Sequence, residues 1–314
     1  MTVLSVALRR LFLAFWLGLL VAVGVHAEVK VVIVSSERSD AYLEAAQALV
    51  SELERGGLMR SQVLELSTKE WQSTQPIAAK LFVTLGAAAA RAIAGTPSPT
   101  PVLCTLLPRA SFEAVLADSG RQASARFSAL YLDQPWSRQL DLIRLAMPNA
   151  RKIGVLWGPQ SQRYASALNA AARAQDVSLV EAAVAADDSL FDGLKKVLED
   201  ADVLLAVPDP TVYNSANIQN ILLTSFRLRV PLIAFSPAYV HAGALLALHV
   251  SPKQLGLQAG KIASAALQGK ELPATPLYSQ EFSIAVNGPV ARSLGLSLDS
   301  RSLQDQLRQR RETP

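Results

Sequence analysis

From Lys30 onward two hydrophobic periods alternate along the chain. Short apolar runs rich in β-branched residues occur at Lys30 to Val34, Leu81 to Leu85, Lys152 to Trp157, Asp202 to Val207 and Pro231 to Phe235. Each is short enough to be a buried strand. Between them the period lengthens. Tyr42, Ala45, Ala46, Leu49, Val50 and Leu53 form one helical stripe, which Gly56 and Gly57 end. Tyr164, Leu168, Ala171 and Ala172 form another, and Leu190, Leu194, Val197 and Leu198 a third. These positions are core. Repeated strand-helix units of this kind predict an α/β fold with parallel sheets.

The strands fall into two sets, one from Lys30 to about Asp133 and one from Lys152 to about Val250, which predicts two lobes in succession. Between the sets, Pro135 breaks the run Leu132-Asp133-Gln134-Pro135-Trp136, and a helix follows through Leu140, Ile143 and Met147. This is the first crossover. Beyond Val250 come a helix with Leu255, Ala259, Ile262, Ala263 and Ala266, then Pro273 and Pro276, then an extended run Phe282 to Val286. That stretch is too short for a third domain, so it is expected to return and complete the other two. The expected division is 1–27 as a signal segment, 28–133 plus about 252–280 as lobe 1, 134–251 plus about 281–298 as lobe 2, and 299–314 as a polar, solvated tail carrying Arg301, Arg308, Arg310 and Arg311.

Arg9 and Arg10 precede an uncharged apolar run from Leu11 to Val25, closed by Val25-His26-Ala27 before Glu28. This is the layout of a signal peptide cleaved after Ala27, with a run shorter than the roughly 20 residues of a membrane span. Export to the periplasm follows, by the general secretory route in preference to the twin-arginine one. The single cysteine, Cys104, allows neither an intrachain disulfide nor a lipid anchor at the cleavage point. Stability must therefore come from the core, and half the residues are hydrophobic. Removing Arg9 and Arg10 from 30 basic residues leaves near balance with 26 acidic ones, which excludes nucleic-acid binding as an expectation.

Several ordered motifs resemble one known family. They are Tyr131-Leu132-Asp133-Gln134-Pro135, Lys152-Ile153-Gly154-Val155-Leu156, Val207-Pro208-Asp209-Pro210-Thr211-Val212-Tyr213-Asn214, Phe235-Ser236-Pro237-Ala238-Tyr239 with Gly243-Ala244-Leu245, and Val286-Asn287 with Leu294-Gly295-Leu296. In order and spacing they are similar to the ABC-transporter substrate-binding proteins that include tryptophan- and tyrosine-binding members. The resemblance covers nearly all of the chain after Ala27. It implies the type I periplasmic-binding-protein fold, with two Rossmann-like lobes joined by a three-strand hinge, a ligand in the cleft between them and delivery to an ABC permease. The chain departs from the family's tryptophan binders, which tend to carry Asp-Asn-Thr where it has Asp209-Pro210-Thr211. Proline there removes an amide side chain and a backbone donor.

In an open parallel sheet, ligands bind beyond the carboxyl ends of the strands, where helix N-termini present unpaired N–H groups. Ligand-binding candidates in the first lobe are Ser35, Ser36, Glu37, Thr84, Gly86, Ala87 and Thr105, with Cys104 beside them as a small buried hydrophobe. In the second they are Trp157, Ser161, Asp209, Thr211, Tyr213 and Ser236, with Asp133 or Gln134 at the crossover. Asp209 leads, because Pro208 and Pro210 hold its carboxylate where a ligand ammonium or hydroxyl could meet it; a helix cap or a turn is the alternative. Trp157 and Tyr213 could stack on a flat ligand or pack the lobe. Ser161 could cap a helix.

The expected function is capture of a small polar or amino-acid-like ligand by a monomeric protein through hinge closure. A ligand sensor docking a membrane receptor shares the same cleft physics and stays open. An exported hydrolase has little support: there is no Gly-x-Ser-x-Gly or His-Glu-x-x-His motif, and only His241 and His249 follow Ala27, with nothing in their spacing to Cys104 that selects a pair. No enzyme activity, no cofactor and no metal is expected.

Overall fold

The computed structural model describes residues 28–74, 76–185 and 190–312; the expected signal segment lies outside them. The first half of the chain runs β1 (Val31–Ser35), α1 (Asp40–Arg55), β2 (Val63–Ser67), α2 (Thr68–Thr74), β3 (Leu81–Leu85), α3 (Ala87–Ala94), β4 (Val102–Leu107), α4 (Arg109–Ser119) and β5 (Phe127–Tyr131). The second half repeats the plan with α5 (Trp136–Ala146), β6 (Lys152–Trp157), α6 (Ala165–Arg173), β7 (Ser178–Ala183), α7 (Leu190–Asp200), β8 (Val203–Leu205), α8 (Ile218–Arg227), β9 (Leu232–Ala234), α9 (Pro237–Ala242) and β10 (Leu246–His249). The remainder supplies α10 (Pro252–Leu267), β11 (Leu277–Tyr278), β12 (Ser283–Val286), α11 (Gly288–Ser293) and α12 (Ser300–Glu312).

Two six-stranded sheets result, in the orders β11-β5-β4-β3-β1-β2 and β12-β10-β9-β8-β6-β7. All neighbours are parallel except β12, which runs antiparallel to β10. The apolar strands are explained by burial on both faces. In β1, Val31 and Ile33 pack with α1 and α10, while Val32 and Val34 pack on the other face with Trp71, Phe82 and Phe112. The fold agrees with the expected two-lobed α/β class.

The chain crosses between the sheets three times: from β5 into α5, from β10 into α10, and from β11 to β12. Side chains tie the crossings together. Arg138 of α5, only 2% exposed, donates to Gln134 Oε1 and to the Ser279 carbonyl at 2.9 Å, and its guanidinium lies 4.9 Å over the Phe282 ring. Ser279 Oγ donates to Gln258 of α10 at 2.9 Å.

The return of α10 to the first lobe depends on small residues. A Cβ at Gly256 would stand 2.2 Å from the Ala45 carbonyl oxygen of α1, so only glycine permits the two helices to approach this closely.

The polar tail expected over 299–314 is corrected by α12. Leu303 and Leu307, one helical turn apart, are buried at 5% and 0% exposure in the second lobe's core, and this pair gives an otherwise polar segment its apolar edge. Arg308 pairs with Glu281 at 3.1 Å and Arg310 with Asp141 at 3.6 Å.

Candidate functional site

A cavity of about 330 Å³ opens between the lobes at the carboxyl ends of the strands. Lobe 1 contributes Pro108, Arg109, Ala110 and Ser111 at the β4–α4 junction, together with Tyr278 of β11; Asp133 lies at the first crossing. Lobe 2 contributes Trp136, Gln160, Tyr164, the run Val207 to Pro210, Tyr213, Phe235 and Tyr239. Four of the chain's six tyrosines meet here, with one tryptophan and one phenylalanine.

Local backbone features aim these residues. On the lobe 1 side the β4–β5 register shifts after Cys104, and Leu106 sits at φ 56°, in the left-handed region that costs a non-glycine residue energy. That kink carries the chain from the carboxyl end of β4 to Pro108 and Arg109. On the lobe 2 side Asp209, 2% exposed, organises the floor. Its Oδ2 accepts the N–H groups of Gln160 and Ser161 at 2.9 and 2.8 Å, and its Oδ1 accepts that of Thr211 at 2.9 Å. The loops after β6 and β8 are thereby joined. Gly158 lets them touch, since a Cβ there would fall 2.3 Å from the Asp209 Cγ.

The aromatic wall is ordered edge to face. Phe235 stands 6.1 Å from Tyr213 and 5.0 Å from Tyr239, at 86° and 85° between planes. Burial pushes the Tyr213 and Tyr239 phenols up, so both stay protonated.

The charged groups lie opposite this wall. Arg109 donates from Nε to Glu113 Oε1 at 2.6 Å and from Nη1 to the Tyr278 hydroxyl at 3.2 Å, and its guanidinium lies 5.2 Å over the Tyr164 ring. The Asp133 carboxylate accepts the Arg109 backbone N–H. Burial raises the Asp133 pKa, against the lowering effect of that hydrogen bond. Tyr164 donates to Glu113 Oε2 at 2.7 Å; burial first, then this carboxylate, pushes its phenol up. The cavity therefore combines an edge-to-face aromatic wall with a fixed cation, a carboxyl group and neutral phenols.

Of the residues expected at the cleft, Asp133, Asp209 and Tyr213 line this cavity. Others have structural partners. Trp157 is 2% exposed in the lobe 2 core and donates from Nε1 to Glu181 at 2.6 Å. Ser161 Oγ accepts the Gly158 N–H at 2.9 Å, and Ser236 caps α9. Thr211 lies beside the floor, with its N–H held by Asp209.

In lobe 1, Thr84 and Thr105 are fully buried, and Thr105 Oγ1 donates to the Leu130 carbonyl. Ser36 Oγ accepts the Ala89 N–H at the start of α3, beside Gly86 and Ala87. Ser35 and Glu37 line a separate groove with Arg38 and Tyr42. Cys104 is buried, which pushes its thiol up to about 12, and it lies in the other lobe from His241.

Arg109, Trp136, Gln160, Tyr164, Phe235, Tyr239 and Tyr278 were not among the expected site residues. Phe235 and Tyr239 carried a signal, as aromatics directly after a strand. Arg109 lies just past the point where the apolar run of β4 stops. Tyr278 carried none, because only its pairing beside β5 brings it to the cleft.

The sequence matches the family described as ABC transporter substrate binding protein over residues 69–306. A tyrosine-binding protein of Clostridioides difficile is 23% identical over 273 residues, which span 81% of this chain and 77% of that protein. Among solved structures, the ligand-free, open form of a substrate binding protein with adhesive properties from Clostridium difficile superposes with a TM-score of 0.67 at 18% identity, covering 86% of this chain and 96% of the other. An ABC domain from Streptococcus pneumonia in complex with L-Trp gives 0.61 at 16% identity, covering 88% and 98%.

Proposed function

The chain belongs to the family of ABC transporter substrate-binding proteins, and from that premise we propose that its cargo is a small aromatic solute of amino-acid type, held between the lobes on closure. One observation carries this reading: the inter-lobe cavity of about 330 Å³ sets six aromatic side chains against Arg109 and Asp133. That volume falls in the usual range for small-molecule sites, and a flat ring with charged ends matches both parts of the lining. The relatives named for tyrosine and crystallised with L-Trp support the same class. Arg109 would face a ligand carboxylate and Asp133 an ammonium. Asp209 would act through the floor it organises, with Tyr213 above it. Ser36, Gly86 and Ala87, at the start of α3, would extend the lobe 1 wall.

We further propose that the protein works as a monomer in the periplasm after cleavage following Ala27, passes its ligand to an ABC permease, and carries out no chemistry on it. The apolar segment after Arg9 and Arg10 supports export, and the family supports the permease.

Thermal unfolding of ligand-free protein tests the cargo. At about 100 times Kd a ligand adds roughly 2.7 kcal/mol, several degrees in Tm for a chain of this size. L-tyrosine, L-tryptophan or a related aromatic acid should give that shift, with sugars and aliphatic amino acids giving less. A shift from sugars alone would overturn the assignment.

A further inference from the structure

We propose that Glu113, which does not itself line the cavity, is the positioning residue that couples lobe closure to the shape of the cleft. The inference rests on the reading of the inter-lobe cavity as the ligand site. Glu113 lies on α4 of lobe 1. One carboxylate oxygen accepts Arg109 Nε at 2.6 Å, and the other accepts the Tyr164 hydroxyl of lobe 2 at 2.7 Å. Arg163, also of lobe 2, approaches the second oxygen at 3.7 Å and donates from Nη2 to the Ala110 carbonyl at 3.3 Å.

Arg109 and Arg163 lie 5.2 and 5.1 Å from the centroid of the same Tyr164 ring. One carboxylate thus fixes a cavity-lining cation from one lobe and a cavity-lining phenol from the other. The two guanidinium groups, one from each lobe, approach the two oxygens of that same carboxylate. Without its charge, the same contact sets like charges against each other across the mouth.

This arrangement gives Glu113 a signature that a purely structural residue would lack. In wild-type protein, salt screens an attraction between the lobes and should favour opening. In Glu113→Gln, salt screens a repulsion and should favour closing.

The test uses the chain from Glu28 with donor and acceptor dyes on cysteines introduced at the exposed positions Glu54 and Lys196, one per lobe, with the native Cys104 buried. Energy transfer is measured without added solute. Glu113→Gln should lower the closed-to-open ratio about 3- to 10-fold at low ionic strength, the range expected for a charge-assisted hydrogen bond that is partly exposed. Raising NaCl from about 20 mM to about 0.5 M should partly restore closure in the variant and reduce it in wild type.

Glu113→Asp, which keeps the charge but shortens the reach, should open the protein without the salt reversal. It also serves if the glutamine variant folds poorly. Equal distance distributions in wild type and Glu113→Gln, or the same sign of salt response in both, would overturn the proposal. Addition of L-tyrosine is a separate arm: if it leaves all the distributions unchanged, the cargo assignment fails while the solute-free comparison still decides the role of Glu113.

Discussion

Asp209 shows what a single residue can reveal in sequence and what it conceals. Two flanking prolines make a rigid carboxylate legible after an apolar strand. Its partners are not legible, because Gln160 and Ser161 donate to it from 49 and 48 residues earlier in the chain. The carboxylate is buried and accepts three backbone N–H groups, so Asp209→Ala should cost about 2–4 kcal/mol in a urea melt by leaving those donors unsatisfied. A small loss, under about 0.5 kcal/mol, would mean that the floor does not depend on it. His249, at the end of β10, reports in another way. Burial lowers its pKa, so the folded protein resists a proton that the unfolded chain accepts near about pH 6.5. Stability should be complete above that pH and fall as the pH drops through the lowered folded value. Denaturant melts of wild type and His249→Gln between about pH 5 and 7.5 should show a steeper loss of stability toward the acid end in wild type than in the variant.

At the scale of elements, the long periodic helices and the central strands could be read directly, since burial on one stripe or on both faces leaves a clear pattern. Two late elements could not. β11 has two residues, and α12 shows only Leu303 and Leu307 in a run of polar side chains. Two leucines are too few to establish a period, although they are enough to dock a helix. Leu307 is fully buried, and Leu307→Ala should lower stability by about 2–4 kcal/mol, measured as a shift in denaturation midpoint with unchanged slope. A change within about 0.5 kcal/mol would return α12 to the status of a solvated tail. The same limit explains why part of the cleft was hidden. Tyr278 reaches it through β11, and Arg109 through a kink in β4 that no apolar run announces.

For the whole molecule, the doubled strand-helix pattern conveyed two lobes, and the motif order conveyed the family. The pairing of lobe 1 and lobe 2 surfaces was not legible, because Glu113, Arg163 and Tyr164 are ordinary helix-forming or polar residues until the fold sets them together. The three crossings have a further consequence. The stretch from Pro252 to Glu312 gives the first sheet its strand beside β5 and the second its strand beside β10. Until it is in place, β5 and β10 are themselves unpaired edge strands and α1 lacks its covering helix. Neither lobe is therefore a transferable unit, because a cut between the sheets leaves no half with a finished core.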